Sequence, residues 1–375
     1  MAAYLEGQGL HPYRLPSACE FVAGCRGCQG YLCAKACKND SARVCLAPAL
    51  EAHGAQLLAR CQVLSLSASG REVSGVNCRW AGRALCLRGR VVVLAAGALN
   101  SPASLLRSRS DQWPDGLANG SGLVGRNLMR HLVDLYALAA KPAPGPEENP
   151  KEIAFNDLYG RAGGAYGSVQ SFGRLPPAPM LVDALQDEIR GSAGALSAGL
   201  FGAVKPLLRP VLARKFAGSL ILASLLEDLP YEDNRVAPAG ADADGGLVLE
   251  YRLRPYETQR IAALRGRLAA LFKPHRPSLL KQAENNERLA HACGTCRFGE
   301  DPAESVLDAM NRAHGLDNLY VVDSSFFPSS GGTNPSLTIA ANALRVADGL
   351  LGKPAAERAA DGNSNDKEAA YTHDA

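Results

Sequence analysis

The chain has 375 residues, 47% of them hydrophobic and 21% charged, with 38 Gly and 23 Pro, a balance that excludes fibrous, low-complexity and wholly disordered classes. Lys plus Arg number 40 against 37 Asp plus Glu, for a formal net charge of +3; the charges are interspersed, which leaves no basic stripe and makes nucleic acid an unsuitable partner. The length exceeds what one hydrophobic core usually serves, so two subdomains are expected.

The first element is a cysteine-rich opening: of 11 cysteines, Cys19, Cys25, Cys28, Cys33, Cys37, Cys45, Cys61, Cys78 and Cys86 fall in the first 86 residues. The opening Met-Ala-Ala-Tyr-Leu-Glu-Gly has no basic segment followed by an apolar run. It is therefore read as carrying no secretory signal, and reduced thiols in a cytoplasmic protein are expected. Cys25-x2-Cys28-x4-Cys33-x3-Cys37 places four thiols in a spacing that suits an iron–sulfur cluster better than a zinc ribbon; buried small residues or a disulfide are the competing readings.

Residues 43–60, with Leu46, Leu50, Leu57 and Leu58, predict a helix interrupted by Pro48. Residues 61–66, 72–80 and 84–87 predict strands, with Ser69-Gly70 as a turn. Residues 90–97, Arg-Val-Val-Val-Leu-Ala-Ala-Gly, read as a strand buried on both faces, and Asn100-Ser101-Pro102 as a cap leading into a helix over 103–107. From 131 to 285 the apolar periodicity is patchy, except over 257–272, where Ile261, Leu264, Leu268 and Leu271 define an amphipathic helix. The apolar stretches 193–204 and 216–226 are shorter than the ~20 residues of a spanning helix, so no transmembrane helix is expected. Residues 318–323 form a buried strand ending in Asp323. A Gly/Ser/Pro loop follows, and then a helix over 335–351 capped by Asn334 with Pro335 in its first turn.

That last loop is the most readable chemistry. Gly331 and Gly332 permit close backbone approach, and the N-terminus of the following helix stabilises negative charge, so a phosphate or an anionic ring fits there, with Asp323 taking a hydroxyl or ring N–H; an ordinary capped helix is the competing reading. His291, whose imidazole has an ordinary pKa near ~6.5, can accept a hydroxyl proton at neutral pH. Cys293 and Cys296 read as packing, and His131, His275 and His314 as structural.

Taken together, His291-x-x-Gly294-Thr295, Asn311-x-x-His314-Gly315-x-x-Asn318-Leu319, Val322-Asp323 and Asn334-Pro335-x-x-Thr338 resemble the C-terminal signature of the glucose–methanol–choline oxidoreductase family. Gly97-Ala98-x-x-Ser101-Pro102-x-x-Leu105-Leu106 is similar to its second signature. Val124-Gly125-Arg126-Asn127-Leu128-Met129-x-His131, Glu227-x-x-Pro230 and Asn234-Arg235-Val236 extend the likeness over residues 10–350. The resemblance implies an FAD-dependent enzyme that oxidises a CH–OH group of an alcohol or sugar-like donor, with hydride passing to flavin N5, His291 as base and Asn334 as its partner. It places Val63, Gly97, Ala98, Asp323, Asn334 and Pro335 against FAD.

The family opens with a strand, a Gly-x-Gly-x-x-Gly turn and a helix for the FAD pyrophosphate. Gly24-Cys-Arg-Gly27 and Gly97-Ala-Leu-Asn100 are read as lacking that spacing and helix context. The resulting expectation is an α/β (α+β) protein, an incomplete Rossmann-like FAD-binding domain plus a substrate-binding subdomain, lacking the N-terminal pyrophosphate-binding segment. Its predicted parts are residues 1–130 (partial FAD-binding domain with the Cys-rich insertion), 131–285 (substrate-binding subdomain), 286–352 (return to the FAD domain and active site) and 353–375 (disordered tail). Three readings of such a chain stay open: a catalytic oxidoreductase; a non-catalytic fragment or subunit served by a separate chain that supplies the FAD segment or accepts electrons; and a metal-binding module on Cys25 to Cys37.

Overall fold

The computed structural model of the chain describes residues 1–20, 22–23, 33–139, 153–160, 166–173, 219–240, 246–284 and 289–352, with scattered positions between 182 and 210. Cys25, Cys28 and the predicted tail beyond residue 352 lie outside the described residues. The chain divides into two units, one of residues 1–57, 132–226 and 255–287, the other of residues 58–131, 227–254 and 288–375. This division follows contacts rather than chain order.

The first unit is organised by a six-stranded antiparallel sheet of strands β1 (Tyr13–Arg14), β6 (Leu132–Ala139), β7 (Ile153–Phe155), β8 (Gly167–Gly173), β9 (Ser219–Leu226) and β12 (Ser278–Lys281), in the order β1-β7-β8-β9-β6-β12. Val169, Ile221, Leu222, Leu225 and Leu226 are buried, each such side chain stabilising the fold by roughly 1.5–3 kcal/mol. The long helix Pro255–Leu271 buries Ile261, Leu264 and Leu268 as its periodicity predicts. The predicted helix over 43–60 is shorter, a π-helical turn Ala42–Leu46 running into Ala47–Ala52, with no residue of either buried. Leu57 and Leu58 are exposed, so apolar composition found no core there to hold further turns.

In the second unit, β2 (Cys61–Ser69), β3 (Glu72–Trp80) and β4 (Arg83–Leu87) form the expected antiparallel meander. Gly70 at φ 59° supplies the left-handed turn. Strand β5 (Val92–Leu94) pairs in parallel with β13 (Leu319–Val321), Tyr320 opposite Val93. Leu94 is buried with Leu319 and Val321 in a core that also holds Leu66, Leu105, Leu117, Leu307 and Phe326. The prediction of burial on both faces of β5 is corrected: Val91 and Val93 are exposed, the latter by 46%. The helix after this strand runs Gly97–Arg107, starting six residues before the predicted 103, with Pro102 inside it. Gly97, read from sequence as lacking helix context, therefore opens a helix. The string Gly120-x-Gly122-x-x-Gly125 does spell the Gly-x-Gly-x-x-Gly pattern, but it lies in consecutive turns with no helix after it. The final helix is Ser336–Leu350 with Pro335 at the N-cap, which displaces Asn334 from the predicted capping position by one residue.

Candidate functional site

The site lies wholly within the second unit, at the C-terminal ends of the parallel pair. Beyond Leu94 the chain turns at Gly97, φ 82°, and a Cβ built on Gly97 would meet no protein atom within 4 Å. Open space beside a left-handed glycine at the end of a parallel strand is where backbone can approach a ligand. Asp323, two residues past Val321, reaches this turn: its Oδ2 accepts from the Gly97 N–H at 2.9 Å and from the Ser101 hydroxyl. Its Oδ1 accepts from the N–H of Ser325 at 2.9 Å and from the Ser325 hydroxyl. Asp323 is 8% exposed. The Asp323 carboxylate receives four protein donors, and its charge sits at the positive N-terminus of the Gly97–Arg107 helix. Asp323 shapes the turn at Gly97.

The segment that bears His291 is tied to the same frame. Met129 and Cys293 exchange backbone hydrogen bonds, each of 3.0 Å; the Ser324 carbonyl accepts from Gly294 N at 3.2 Å; and the Thr295 hydroxyl donates to the Ala98 carbonyl at 2.7 Å. Ala98, predicted to line the cofactor, is thus buried beside Thr295. Gly294, at φ 90°, has no room for a side chain: a Cβ would lie 2.6 Å from the Asn127 carbonyl and strike the Met129 methyl. Burial pushes the Cys293 thiol up, helped by the negative charges of Asp228 and Glu227; Cys296 is raised likewise, by burial and then by Asp323. Both thiols stay protonated and pack.

His291 itself is exposed and held at φ 60°, a left-handed conformation that costs a non-glycine residue about 1–2 kcal/mol and is a mark of functional positions. Its Nδ1 lies 2.8 Å from Nδ1 of His131, the two rings edge to face with centroids 4.8 Å apart. His131 is 2% exposed, and its Nε2 lies 3.0 Å from the Ser330 carbonyl oxygen. Burial lowers the His131 pKa below the ordinary 6.5, against the opposing hydrogen bonds to the Ser330 and Gly331 backbone. In the sequence His131 reads as structural because a lone histidine between Arg130 and a buried strand has no local signature; its one signal is its place in the Val124-to-His131 segment. His314 and His275 keep the structural roles expected of them, the first 2.9 Å from the Ser305 hydroxyl and the second edge-on to Tyr4.

Asn334 and Pro335 lie four and five residues beyond Ser330, at the entrance to the final helix, Asn334 half-buried and Pro335 buried. Val63 is on β2 opposite Cys78, its side chain 39% exposed. Of the predicted cysteine set, Cys33 and Cys37 have sulfurs 3.2 Å apart, while Cys25 and Cys28 lie outside the described residues. Among the described residues no group of three or more His, Cys, Asp or Glu is arranged to hold a metal, so the iron–sulfur reading lacks support.

Two sequence models of one family, both described as GMC oxidoreductase, match residues 16–133 and 230–343, covering the N-terminal and C-terminal domains respectively. The chain belongs to the GMC oxidoreductase family. Its N-terminal family domain is present over residues 16–133, so a chain lacking that domain, or needing a separate one to replace it, is not supported. The chain is 34% identical over 350 residues to the 6'''-hydroxyparomomycin C oxidase of Streptomyces lividus, covering 89% of this chain and 58% of that protein. It is 32% identical to the paromamine 6'-oxidase of Streptomyces fradiae, covering 91% and 60%. It thus spans about three-fifths of the length of these relatives. The crystal structure of a pyridoxine 4-oxidase from Mesorbium loti aligns with a TM-score of 0.50 at 21% identity, over 76% of this chain and 56% of that one, which establishes the shared α/β fold. No helix among the described residues is long and apolar enough to cross a membrane.

Proposed function

We propose that the chain is an FAD-dependent oxidoreductase acting on the CH–OH group of a small-molecule alcohol or sugar-like donor, with His291 accepting the hydroxyl proton and Asn334 as its partner at the reacting hydroxyl. The observation that carries the reading is the exposed His291 imidazole, held in a left-handed backbone conformation and hydrogen-bonded to a buried histidine. Such an imidazole is oriented before substrate arrives, and orientation is a large part of what general-base catalysis requires.

The residues present fit a bound dinucleotide. Gly97 offers open space at the end of a parallel strand, and Asp323 fixes the turn around it. Gly97, Ala98, Asp323, Asn334 and Pro335 would hold the flavin side of FAD, and Val63 its adenine side. When bound, FAD supplies the acceptor for the substrate's hydride. The chain's own work is to take the proton at His291 and to present the N-terminus of the Ser336–Leu350 helix, where developing negative charge is stabilised. Paromamine and related amino sugars are the first alcohols to assay, since relatives covering nine-tenths of this chain are named for them. The test is turnover of the FAD-reconstituted chain: His291→Ala lowers it by ~10²-fold or more with FAD still bound, whereas turnover equal to the parent's contradicts the reading.

A further inference from the structure

The two histidines have only one consistent arrangement of protons. A carbonyl oxygen can only accept, so the 3.0 Å contact between His131 Nε2 and the Ser330 carbonyl requires a proton on Nε2. Burial favours the neutral form of His131 against its hydrogen bonds to the Ser330 and Gly331 backbone, and a neutral imidazole carries one proton, so its Nδ1 has a lone pair. That lone pair faces His291 Nδ1 at 2.8 Å. The shared proton therefore belongs to His291 Nδ1, and in neutral His291 the nitrogen able to accept a proton is Nε2.

The acceptor of the first bond is itself fixed. The Ser330 hydroxyl donates to the Asp228 carbonyl at 2.9 Å and accepts from the Asp228 N–H at 2.9 Å. The Asp228 carboxylate accepts from Arg130 N at 3.0 Å and from the Tyr251 hydroxyl at 2.8 Å. The Arg130 guanidinium lies over the Tyr251 ring, 4.6 Å from its centre. The order of bonds runs from Asp228 through Ser330 and His131 to His291. No link can be reversed without leaving a buried acceptor facing an acceptor, which costs about 1–3 kcal/mol.

We infer that His131 is a positioning residue: its Nδ1 lone pair holds His291 as the Nδ1–H tautomer and so selects Nε2 as the nitrogen that takes the substrate's proton. The choice of Nε2 rests on the reading of His291 as proton acceptor; the tautomer assignment itself does not. Among the described residues, Arg130 adjoins His131 and Cys293 lies two residues from His291 in the chain, Asp228 is bonded to Ser330 and Tyr251, and Glu227 and Asp228 act on Cys293; the order of bonds to His291 requires no change in the ionisation of any of them.

The experiment uses the full chain labelled with ¹⁵N-histidine. Two-bond ¹H–¹⁵N correlations, assigned with His131→Leu and His291→Ala variants, report which ring nitrogen of each histidine is protonated. The expected spectrum has His131 protonated at Nε2 and His291 at Nδ1 in the parent, His291 shifting toward the Nε2–H form in His131→Leu, and recovery in His131→Gln, whose amide can both donate to Ser330 and accept from His291. His291 protonated at Nε2 in the parent, or unchanged in His131→Leu, overturns the inference; the parent spectrum alone suffices if the Leu variant does not fold. In the FAD-reconstituted chain His131→Leu is expected to lower kcat ~10-fold or more with KM within about threefold. The spectrum reads the tautomer and the turnover of His291→Ala reads the acceptor role, so failure of one is distinguishable from failure of the other.

Discussion

Each unit contains a buried polar cluster, and the two solve the same physical problem in opposite ways. In the first unit, Asp134 accepts from Arg265 through Nε and Nη2 at 2.7 Å each, from Ala283 N at 2.8 Å and from the Tyr136 hydroxyl at 3.0 Å, while Arg265 also donates to Glu284 at 2.7 Å. The two carboxylates hold the guanidinium pKa above its ordinary value, the hydrogen bonds to Asp134 first, and burial pushes the Tyr136 hydroxyl up. Charge meets charge in this cluster. In the second unit a neutral buried imidazole is bonded to a carbonyl and to another imidazole, the second of which is exposed. The first cluster can only hold structure together. The second keeps a titratable group in a defined orientation at the surface, which is the arrangement proton transfer needs.

Breaking the charged cluster is expected to have the largest effect on stability. Asp134→Ala leaves Arg265 without its main partner and is expected to cost about 3–5 kcal/mol, read as a lower urea midpoint; a midpoint equal to the parent's would mean that the pair is no more than a surface contact. Gly294→Ala comes next, at about 3 kcal/mol from overpacking against Asn127 and Met129 together with a left-handed φ, and the same denaturation curve measures it. A cost below ~1 kcal/mol would show that the segment bearing His291 is loosely held.

The comparison also predicts a pH dependence specific to the second unit. The folded pKa of His131 is lowered, so between that value and the ordinary 6.5 the unfolded chain binds more protons than the folded one. Stability therefore rises with pH through this window and is lost on acidification below 6.5. His131→Leu is expected to flatten the dependence, and an unchanged slope would place its cause elsewhere. The smallest effect is expected at the exposed pair of Arg71 and Asp317, at 2.8 Å. Each partner's pKa is shifted in the direction that keeps it charged, by the hydrogen bond between them; solvent screens such pairs, and Arg71→Ala should leave the denaturation midpoint within measurement error.

What could be read from the sequence follows the distance over which its cause acts. The β2–β3–β4 meander and the Pro255–Leu271 helix were legible because turn residues and 3.6-residue periodicity are local. The six-stranded sheet was not, because its strands pair Tyr13 with Ala154 and Leu279 with Tyr136, and neither partner marks the other locally. The helix at Gly97 began earlier than Asn100 predicted for a comparable reason: its first N–H is satisfied by Asp323, 226 positions away, and the Ser101 hydroxyl, which looked like a local cap, donates to that same carboxylate. His291 and Asp323 stand out in the sequence because their motifs are contiguous. His131 was missed because its meaning comes from Ser330 and His291, neither of which is near it in the chain.

In the proposed function, His291 accepts the proton when the alcohol is oxidised. The most direct test is the pH dependence of kcat/KM for the FAD-reconstituted chain on paromamine, compared with that of His291→Ala. The parent is expected to lose activity on the acid side through one ionisation, and the variant to retain ~1% or less of the activity without that ionisation. An acid limb that persists unchanged in His291→Ala, at parental activity, would contradict the claim.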